Sequence, residues 1–190
     1  MNGEPWRCFV AVPIGEELRD DLRAAVAGWR DDERLAGLRW TDPEGWHVTL
    51  AFLGATEPAR VPALDEQLAA VAESHQMTTT TTGGLGAFPT PARARVAWYG
   101  IEDHEGHLGS LAADVSGALG LDASLSHRPH LTLARARRQP VDLRSWLASV
   151  SAPEGVLTTD RILLMRSHIG RGPARYETLA TIKLGVPAGV

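Results

Sequence analysis

Two segments of the chain, about eighty residues apart, repeat one pattern of side chains. Residues 45–54, GWHVTLAFLG, and residues 127–135, HRPHLTLAR, both contain His, an apolar residue, Thr and Leu in that order. Successive side chains of a β-strand point to opposite faces, so the His and the Thr share one face while the apolar residue and the Leu share the other. The repeat therefore predicts two strands that each bury one face in a core and present an imidazole and a hydroxyl on the other.

The polar faces of these strands can converge on one ligand. Residues two apart on a strand are separated by about 6.5 to 7 Å, so an imidazole and a hydroxyl can contact the same tetrahedral phosphate. Two such strands on either side of a groove would surround it. A lone histidine in such a pattern more often has a structural role, whereas the repeat favours a functional one. The candidate site residues are His47, Thr49, His130 and Thr132.

The rest of the sequence alternates between strand and helix patterns. Apolar and β-branched runs predict strands at 7–14, 37–41, 46–54, 77–101, 129–136, 156–169 and 174–184, the fourth run forming two strands around a Gly/Pro loop. Apolar residues at helical spacing predict helices at 15–30, from about 61 to 75, at 107–120 and near 142–149. An α+β fold is therefore expected, with residues 1–190 forming a single domain of two similar lobes whose sheets are backed by helices.

The composition fits a soluble globular protein, since 44% of the 190 residues are hydrophobic. No segment approaches the roughly 20 apolar residues of a membrane span, and the first residues have neither the basic lead nor the apolar core of a signal peptide. We therefore expect a cytoplasmic location without membrane attachment. The single cysteine, Cys8, lies in the apolar run CFVAV and is interpreted as a small buried hydrophobe rather than a nucleophile.

Charge is unevenly distributed along the chain. The net charge of −4 argues against a protein that coats long nucleic acid, yet residues 1–75 hold 7 basic and 14 acidic side chains whereas residues 76–190 hold 12 and 9. The locally basic second part could meet a small phosphorylated ligand or an RNA end, or could be a solvated arginine surface. Its arginines form two groups: Arg128, Arg135, Arg137 and Arg138, and Arg161, Arg166, Arg171 and Arg175.

These motifs resemble those of the two-histidine (2H) phosphoesterases, specifically the bacterial and archaeal RNA 2′,3′-cyclic phosphodiesterases, also called 2′-5′ RNA ligase-like proteins. The resemblance runs along almost the whole chain, through RCFVAVPI, LRWTDPEGWHVTLAFLG, GGLGAFPTPARARVAWYG, RPHLTLAR and LLMRSHIGRGPARYETLA. It implies a bilobal, pseudo-two-fold α+β domain in which antiparallel-rich sheets line a central cleft and helices lie outside. One departure is His127, which stands where the family often has an aromatic residue ahead of RPH.

The resemblance also implies a reaction, the hydrolysis of 2′,3′-cyclic phosphate ends of RNA or nucleotides to 2′-phosphomonoesters. This reaction needs a base for the attacking water and an acid for the departing ribose oxygen, roles that histidines perform near neutral pH. By the family pattern His47 is the proton donor and His130 the acceptor. Thr49 and Thr132 would hold the phosphate oxygens, and Arg128 would add a charge-assisted contact to the substrate. No metal or other cofactor is expected.

Other chemistries fit the sequence less well. It has no P-loop, H-E-x-x-H or G-x-S-x-G motif, and His104 and His107 lack a nearby third metal ligand. The only lysine, Lys183, adjoins no motif for a covalent nucleotide adduct, so any 2′-5′ ligation would be an ATP-independent reversal of hydrolysis. Two alternatives stay open: a non-catalytic module that binds a nucleotide or RNA end, and a phosphodiesterase for a small nucleotide metabolite. The sequence indicates no obligate protein partner.

Overall fold

The computed structural model describes residues 4–122, 127–168 and 174–186. Within these residues the strands are β1 (Trp6–Pro13), β2 (Leu38–Trp40), β3 (His47–Thr56), β4 (Thr78–Phe88), β5 (Val96–Ile101), β6 (His130–Ala136), β7 (Val156–Thr159), β8 (Arg161–His168) and β9 (Arg175–Lys183). The helices are α1 (Glu16–Trp29), α2 (Val61–Glu73), α3 (His107–Ala118) and α4 (Arg144–Leu147). These bounds confirm the predicted elements to within a few residues, with one exception near the C-terminal end of the chain.

The strands of the described residues form an antiparallel sheet with the two motif strands at its centre. Its order is β7-β4-β5-β6-β3-β1-β8-β9, and the short β2 pairs with the end of β6. Each motif strand is the inner strand of one half of the sheet. Outward from β6 lie β5, β4 and β7, and outward from β3 lie β1, β8 and β9. The two halves meet at a single aligned pair, Val48 and Leu131. This arrangement confirms the expected α+β fold with two similar halves.

The helices pack on one face of the sheet, because their apolar residues recur at helical spacing. Leu18, Leu22 and Val26 of α1 are buried, as are the corresponding residues of α2 and α3. They share one core with Val48 and Leu131 of the motif strands. Burying a side chain of this size stabilises the fold by about 1.5–3 kcal/mol. The apolar face of each motif is therefore anchored, and its polar face points to the side of the sheet away from this core.

The prediction of one strand over 156–169 is wrong, because this segment forms two strands with different partners. The first, β7, pairs with β4, and the second, β8, pairs with β1 and β9, so only β8 and β9 form the expected closing pair. Asp160 alone connects β7 to β8, although these strands stand near opposite ends of the strand order. Such a connection spans less than about 8 Å. The sheet must therefore curl until its two ends approach each other.

Local features agree with the sequence patterns in most places. The threonine run lies in β4, as expected, but Gly83, Gly84 and Gly86 also lie in this strand, and the loop to β5 consists of residues 89–95. Cys8 is only 2% exposed, which confirms its interpretation as a buried hydrophobe. Among the described residues, no helix has the length and apolarity needed to span a bilayer.

Candidate active site

Each motif strand contains a β-bulge shortly after its histidine. The pairing of β3 with β1 skips Leu50, and the pairing of β6 with β5 skips Leu133. A bulge places one extra residue on one strand, so the alternation of faces is reversed beyond it. Leu50 with Ala51, and Leu133 with Ala134, are accordingly consecutive buried residues. The polar face of each motif therefore gains a further side chain after the bulge.

The side chains gained in this way are Phe52 on β3 and Arg135 on β6. Both are exposed, Phe52 to 70%, and both stand five positions after the motif histidine. Sequence reasoning placed Arg135 in a basic group without connecting it to the histidines, and it overlooked Phe52. The signal was present, because both motifs read Thr-Leu-Ala, and two adjacent apolar residues break the alternation of a half-buried strand.

The register between β3 and β6 brings the four candidate residues together. The single aligned pair joins the second residues of the two motifs, so in antiparallel register His47 lies beside Thr132 and His130 lies beside Thr49. Directly opposed Cα atoms are about 4.5–5.5 Å apart. All four side chains are half-buried on the face away from the helical core. Neither threonine hydroxyl has a hydrogen-bond partner in the described part of the chain, so both are available to a ligand.

Both histidine rings are held by the backbone in the same way. Nδ1 of His47 lies 2.7 Å from the carbonyl oxygen of Gly45, and Nδ1 of His130 lies 2.7 Å from the carbonyl oxygen of Arg128. A carbonyl oxygen can only accept, so each Nδ1 carries a hydrogen and donates it. Nε2 of each ring is then the nitrogen that gains or loses a proton. The backbone thereby selects the tautomer that acid–base catalysis at Nε2 requires.

Aromatic rings flank both histidines. The ring centroid of His47 lies 4.8 Å from that of Phe9 and 5.1 Å from that of Tyr176, which meets it edge to face. On the other strand, Phe88 and Trp98 lie 5.0 and 6.3 Å from the second motif histidine. These contacts restrict the ring planes and exclude water from one side of each imidazole.

Burial lowers the pKa of both His47 and His130, because a desolvated imidazole binds its proton less tightly. The hydrogen bond to the backbone carbonyl opposes this effect in each ring and raises the pKa. The positive charge of Arg135 lowers both pKa values further, whereas the charges of His127 and Arg128 lower the pKa of His130. Arg135 is thus the arginine whose charge acts on both imidazoles.

Arg128, predicted to contact the substrate, is exposed beside His130. Its guanidinium lies 5.5 Å from the ring centroid of Phe88 and 5.8 Å from that of Trp98. These cation–π contacts hold the positive charge at the edge of the cleft. Arg171 lies outside the described residues. Other arginines of the two basic groups have partners elsewhere: Arg137 donates to the carbonyl of Leu38, Arg161 pairs with Asp160, and Arg166 lies over Trp6 and near Glu177.

His127 links the two motif strands. Its Nε2 lies 2.9 Å from the carbonyl oxygen of Thr49, so this nitrogen donates a hydrogen bond from the segment before β6 to β3. Its Nδ1 is buried without a hydrogen-bond partner among the described residues. Because β3 and β6 have one aligned residue pair in the described part of the chain, this bond adds a further connection between the two motif strands. The residue that departs from the family pattern therefore ties one motif to the other.

The surface histidines lie apart from this cleft. His104 pairs with Glu102 and His107 pairs with Glu105, in the loop before α3 and at its first residue. Within residues 4–122, 127–168 and 174–186 there is no group of three side chains suited to hold a metal ion.

The chain resembles curated phosphodiesterases over most of its length. Residues 12–98, which include the first motif, match the family described as LigT-like phosphoesterase. The chain is 35% identical to an RNA 2′,3′-cyclic phosphodiesterase of Geobacillus stearothermophilus, over 95% of this chain and 58% of that protein. It is 31% identical over 136 residues to an RNA 2′,3′-cyclic phosphodiesterase of Archaeoglobus fulgidus, which covers 70% of this chain and 74% of that protein.

Solved structures share the fold. E. coli LigT complexed with 3′-AMP superposes with a TM-score of 0.75 at 25% identity, covering 96% of this chain and 99% of that one. TT0787 of Thermus thermophilus, at 24% identity, superposes with a TM-score of 0.73 and covers 95% and 99% of the two chains. The duplicated motif, the sheet that carries it and these relatives lead to one conclusion, that the chain belongs to the LigT-like phosphoesterases.

Proposed function

We propose that the protein hydrolyses the 2′,3′-cyclic phosphate ends of RNA or nucleotides to 2′-phosphomonoesters by acid–base catalysis with two histidines. The observation that carries this proposal is the pair of imidazoles, each anchored through Nδ1 and each beside the threonine of the other motif. The named activity of the relatives from Geobacillus and Archaeoglobus supports it. The site takes residues from both halves, which supports our inference that residues 1–190 act as one two-lobed domain.

The proposed reaction assigns one proton transfer to each histidine. Nε2 of His130 accepts a proton from water, and the resulting hydroxide attacks phosphorus. The bond from phosphorus to the ribose 3′ oxygen breaks, and Nε2 of His47 donates its proton to that oxygen, which leaves a 2′-phosphate. Each transfer of this kind typically contributes about 10²–10⁴-fold to the rate. One imidazole accepts a proton and the other donates one, so the pair accounts for both proton transfers and the mechanism requires no metal ion.

The assignment of His130 as the base agrees with its surroundings. A base must be neutral at the start of the reaction, and neighbouring cations favour the neutral form of an imidazole. Arg128 and Arg135 both lower the pKa of His130, whereas of these two arginines only Arg135 acts on His47. The contribution of the arginines alone therefore favours the neutral form more at His130 than at His47.

The remaining polar groups of the cleft are suited to stabilise the phosphate. Thr49 and Thr132 have free hydroxyls on the histidine face, where they can donate hydrogen bonds to the non-bridging oxygens. Arg135 adds a fixed positive charge near the phosphorus, where negative charge develops as hydroxide attacks. Arg128 would contact the substrate at the edge of the cleft. The same step with a 5′-hydroxyl in place of water would form a 2′-5′ linkage without ATP.

The proposed function is tested with purified protein and two substrates, 2′,3′-cyclic AMP and a short RNA with a 2′,3′-cyclic end. We expect 2′-phosphate products, identified by chromatography against 2′- and 3′-phosphate standards, at rates that EDTA does not change. A 3′-phosphate product would contradict the assigned direction, and a loss of activity with EDTA would contradict the metal-independent mechanism. If neither substrate turns over although a 2′-phosphate nucleotide binds, the non-catalytic binding module is the correct function.

A further inference from the structure

Two arginines face each other directly on the strand pair at the edge of the cleft. In the antiparallel pairing of β2 with β6, Arg39 is the Cα partner of Arg135. Side chains of directly opposed residues lie on the same face of the sheet, and like charges in this position repel each other. The pairing therefore places two guanidinium groups side by side, with a like-charge repulsion that the fold itself must accommodate.

Among residues 4–122, 127–168 and 174–186, no acidic side chain pairs with either arginine to offset this repulsion. Both arginines are exposed, and neither guanidinium forms a hydrogen bond or ion pair with any residue in the described ranges. Five other arginines do have a carboxylate within ion-pair distance: Arg23, Arg34, Arg144, Arg161 and Arg166. The paired arginines are thus two adjacent positive charges without a counterion in the described part of the chain, an arrangement that an external anion would stabilise.

Arg39 points to the same side of the sheet as the histidines. Its neighbours Leu38 and Trp40 pack into the hydrophobic core, so by strand alternation Arg39 points away from it. The bulge in β6 turns Arg135 to the histidine face, and the direct pairing carries Arg39 to that face as well. Adjacent strands are about 4.7–4.9 Å apart, so Arg39 stands one strand beyond Arg135. The charges that lower the pKa of the two catalytic imidazoles include Arg135 but not Arg39.

We propose that Arg39 and Arg135 form a second anion subsite, which binds the internucleotide phosphodiester next to the terminal cyclic phosphate of an RNA substrate. This inference rests on the proposed function. Arg135 is near the reacting phosphate and Arg39 extends the positive charge away from it, so a second phosphate on the same substrate can contact both. A cyclic mononucleotide has no second phosphate, and the subsite therefore makes an RNA end the better substrate.

The test compares Arg39→Ala with the wild type on 2′,3′-cyclic AMP and on a tetranucleotide with a 2′,3′-cyclic end. For the tetranucleotide we expect kcat/KM to fall about 3- to 10-fold, since one exposed charged contact is lost. For the mononucleotide the change stays below about twofold, because the contact is absent there. Arg39→Lys should recover most of the loss, because the charge is retained. Arg60→Ala, an exposed arginine at the start of α2, is the matched control and should alter neither rate.

Salt dependence gives a second readout. A 2′-phosphate-ended tetranucleotide, labelled for fluorescence anisotropy, is titrated at several salt concentrations with the wild type and with Arg39→Ala. Loss of one phosphate contact on a single strand should reduce the slope of log affinity against log salt by about 0.7. The control variant keeps the wild-type slope. Circular dichroism melting of each variant confirms that the comparison concerns folded protein.

Two results would overturn the subsite. If Arg39→Ala lowers kcat/KM equally on the mononucleotide and the tetranucleotide, Arg39 acts at the reacting phosphate. If the variant keeps the wild-type kcat/KM on both substrates and the wild-type salt slope, Arg39 is a solvated arginine. Absence of turnover by the wild type itself would reject the proposed function, not the subsite. In that case the anisotropy titration still decides, because it measures binding of the phosphate chain and does not depend on catalysis.

Discussion

The two motif strands have the same backbone design but different side chains around it. In both, a carbonyl two residues before the histidine fixes Nδ1, and a bulge three residues after it turns the strand. The position that the bulge turns into the cleft is Phe52 on β3 and Arg135 on β6. The fold thus repeats a geometry, whereas the side chains at equivalent positions differ. One half therefore supplies an apolar side chain at this position, and the other half supplies a positive charge.

The surroundings of the two imidazoles follow the same division. His47 lies among Phe9, Tyr176 and the aromatic cluster that extends to the exposed Phe52. His130 also has aromatic neighbours, and in addition to Arg135, which acts on both rings, the charge of Arg128 favours its neutral form. A symmetric frame would give two equivalent histidines, and hydrolysis needs two with opposite protonation states. The backbone around the two histidines is the same, so the differences between their neighbouring side chains must distinguish the acid from the base.

Removing either imidazole is expected to have the largest effect. His47→Ala and His130→Ala should each reduce kcat on a 2′,3′-cyclic nucleotide by about 10²–10⁴-fold, because each loses one proton transfer. The double variant should lose much less than the product of the two, since the pair acts as a unit. Steady-state kinetics measures all three. Near wild-type turnover in either single variant would rule out the two-histidine mechanism.

A substrate with a different leaving group can distinguish the acid from the base. A 3′-deoxynucleoside 2′-(4-nitrophenyl phosphate) releases a phenolate that departs without a proton, so its hydrolysis still needs the base but not the acid. His47→Ala should therefore lose far less activity on this ester than His130→Ala. The reverse order would exchange the two roles. Nitrophenolate absorbance follows the reaction directly.

Removing Arg135, whose positive charge acts on both imidazoles, is expected to have the next largest effect. Arg135→Ala should lower kcat/KM by roughly 10–10³-fold, because a charged contact to the transition state is lost. The variant should also move both limbs of the bell-shaped kcat/KM profile to higher pH. A cation lowers the pKa of each imidazole, so its removal raises both. Phe52→Ala is the control at the equivalent position on β3, and it should leave both limbs in place.

The sequence predicts the two motif strands but not the differences between their surroundings. The duplicated pattern correctly predicted two half-buried strands, because alternation depends on residues next to each other in the chain. The adjacent Leu and Ala of each motif indicate that the alternation breaks there, but the bulges themselves are defined by pairing with β1 and β5, which are distant in sequence. The opposition of Arg39 and Arg135 is likewise a matter of register between segments far apart. The split at Asp160 was missed because no glycine or proline marks it.

The smallest predicted effect concerns Arg128, whose charge acts on one ring only. The charge of Arg128 lowers the pKa of His130, and that of Arg135 lowers both pKa values. Arg128→Ala should therefore raise the pKa of His130 and move one limb of the kcat/KM profile to higher pH while the other stays in place. The loss of kcat/KM at the optimum should be only about two- to fivefold, as for one exposed ionic contact. Movement of both limbs would show that Arg128 shares the role of Arg135. A profile identical to the wild type, with unchanged kcat/KM, would remove Arg128 from the site.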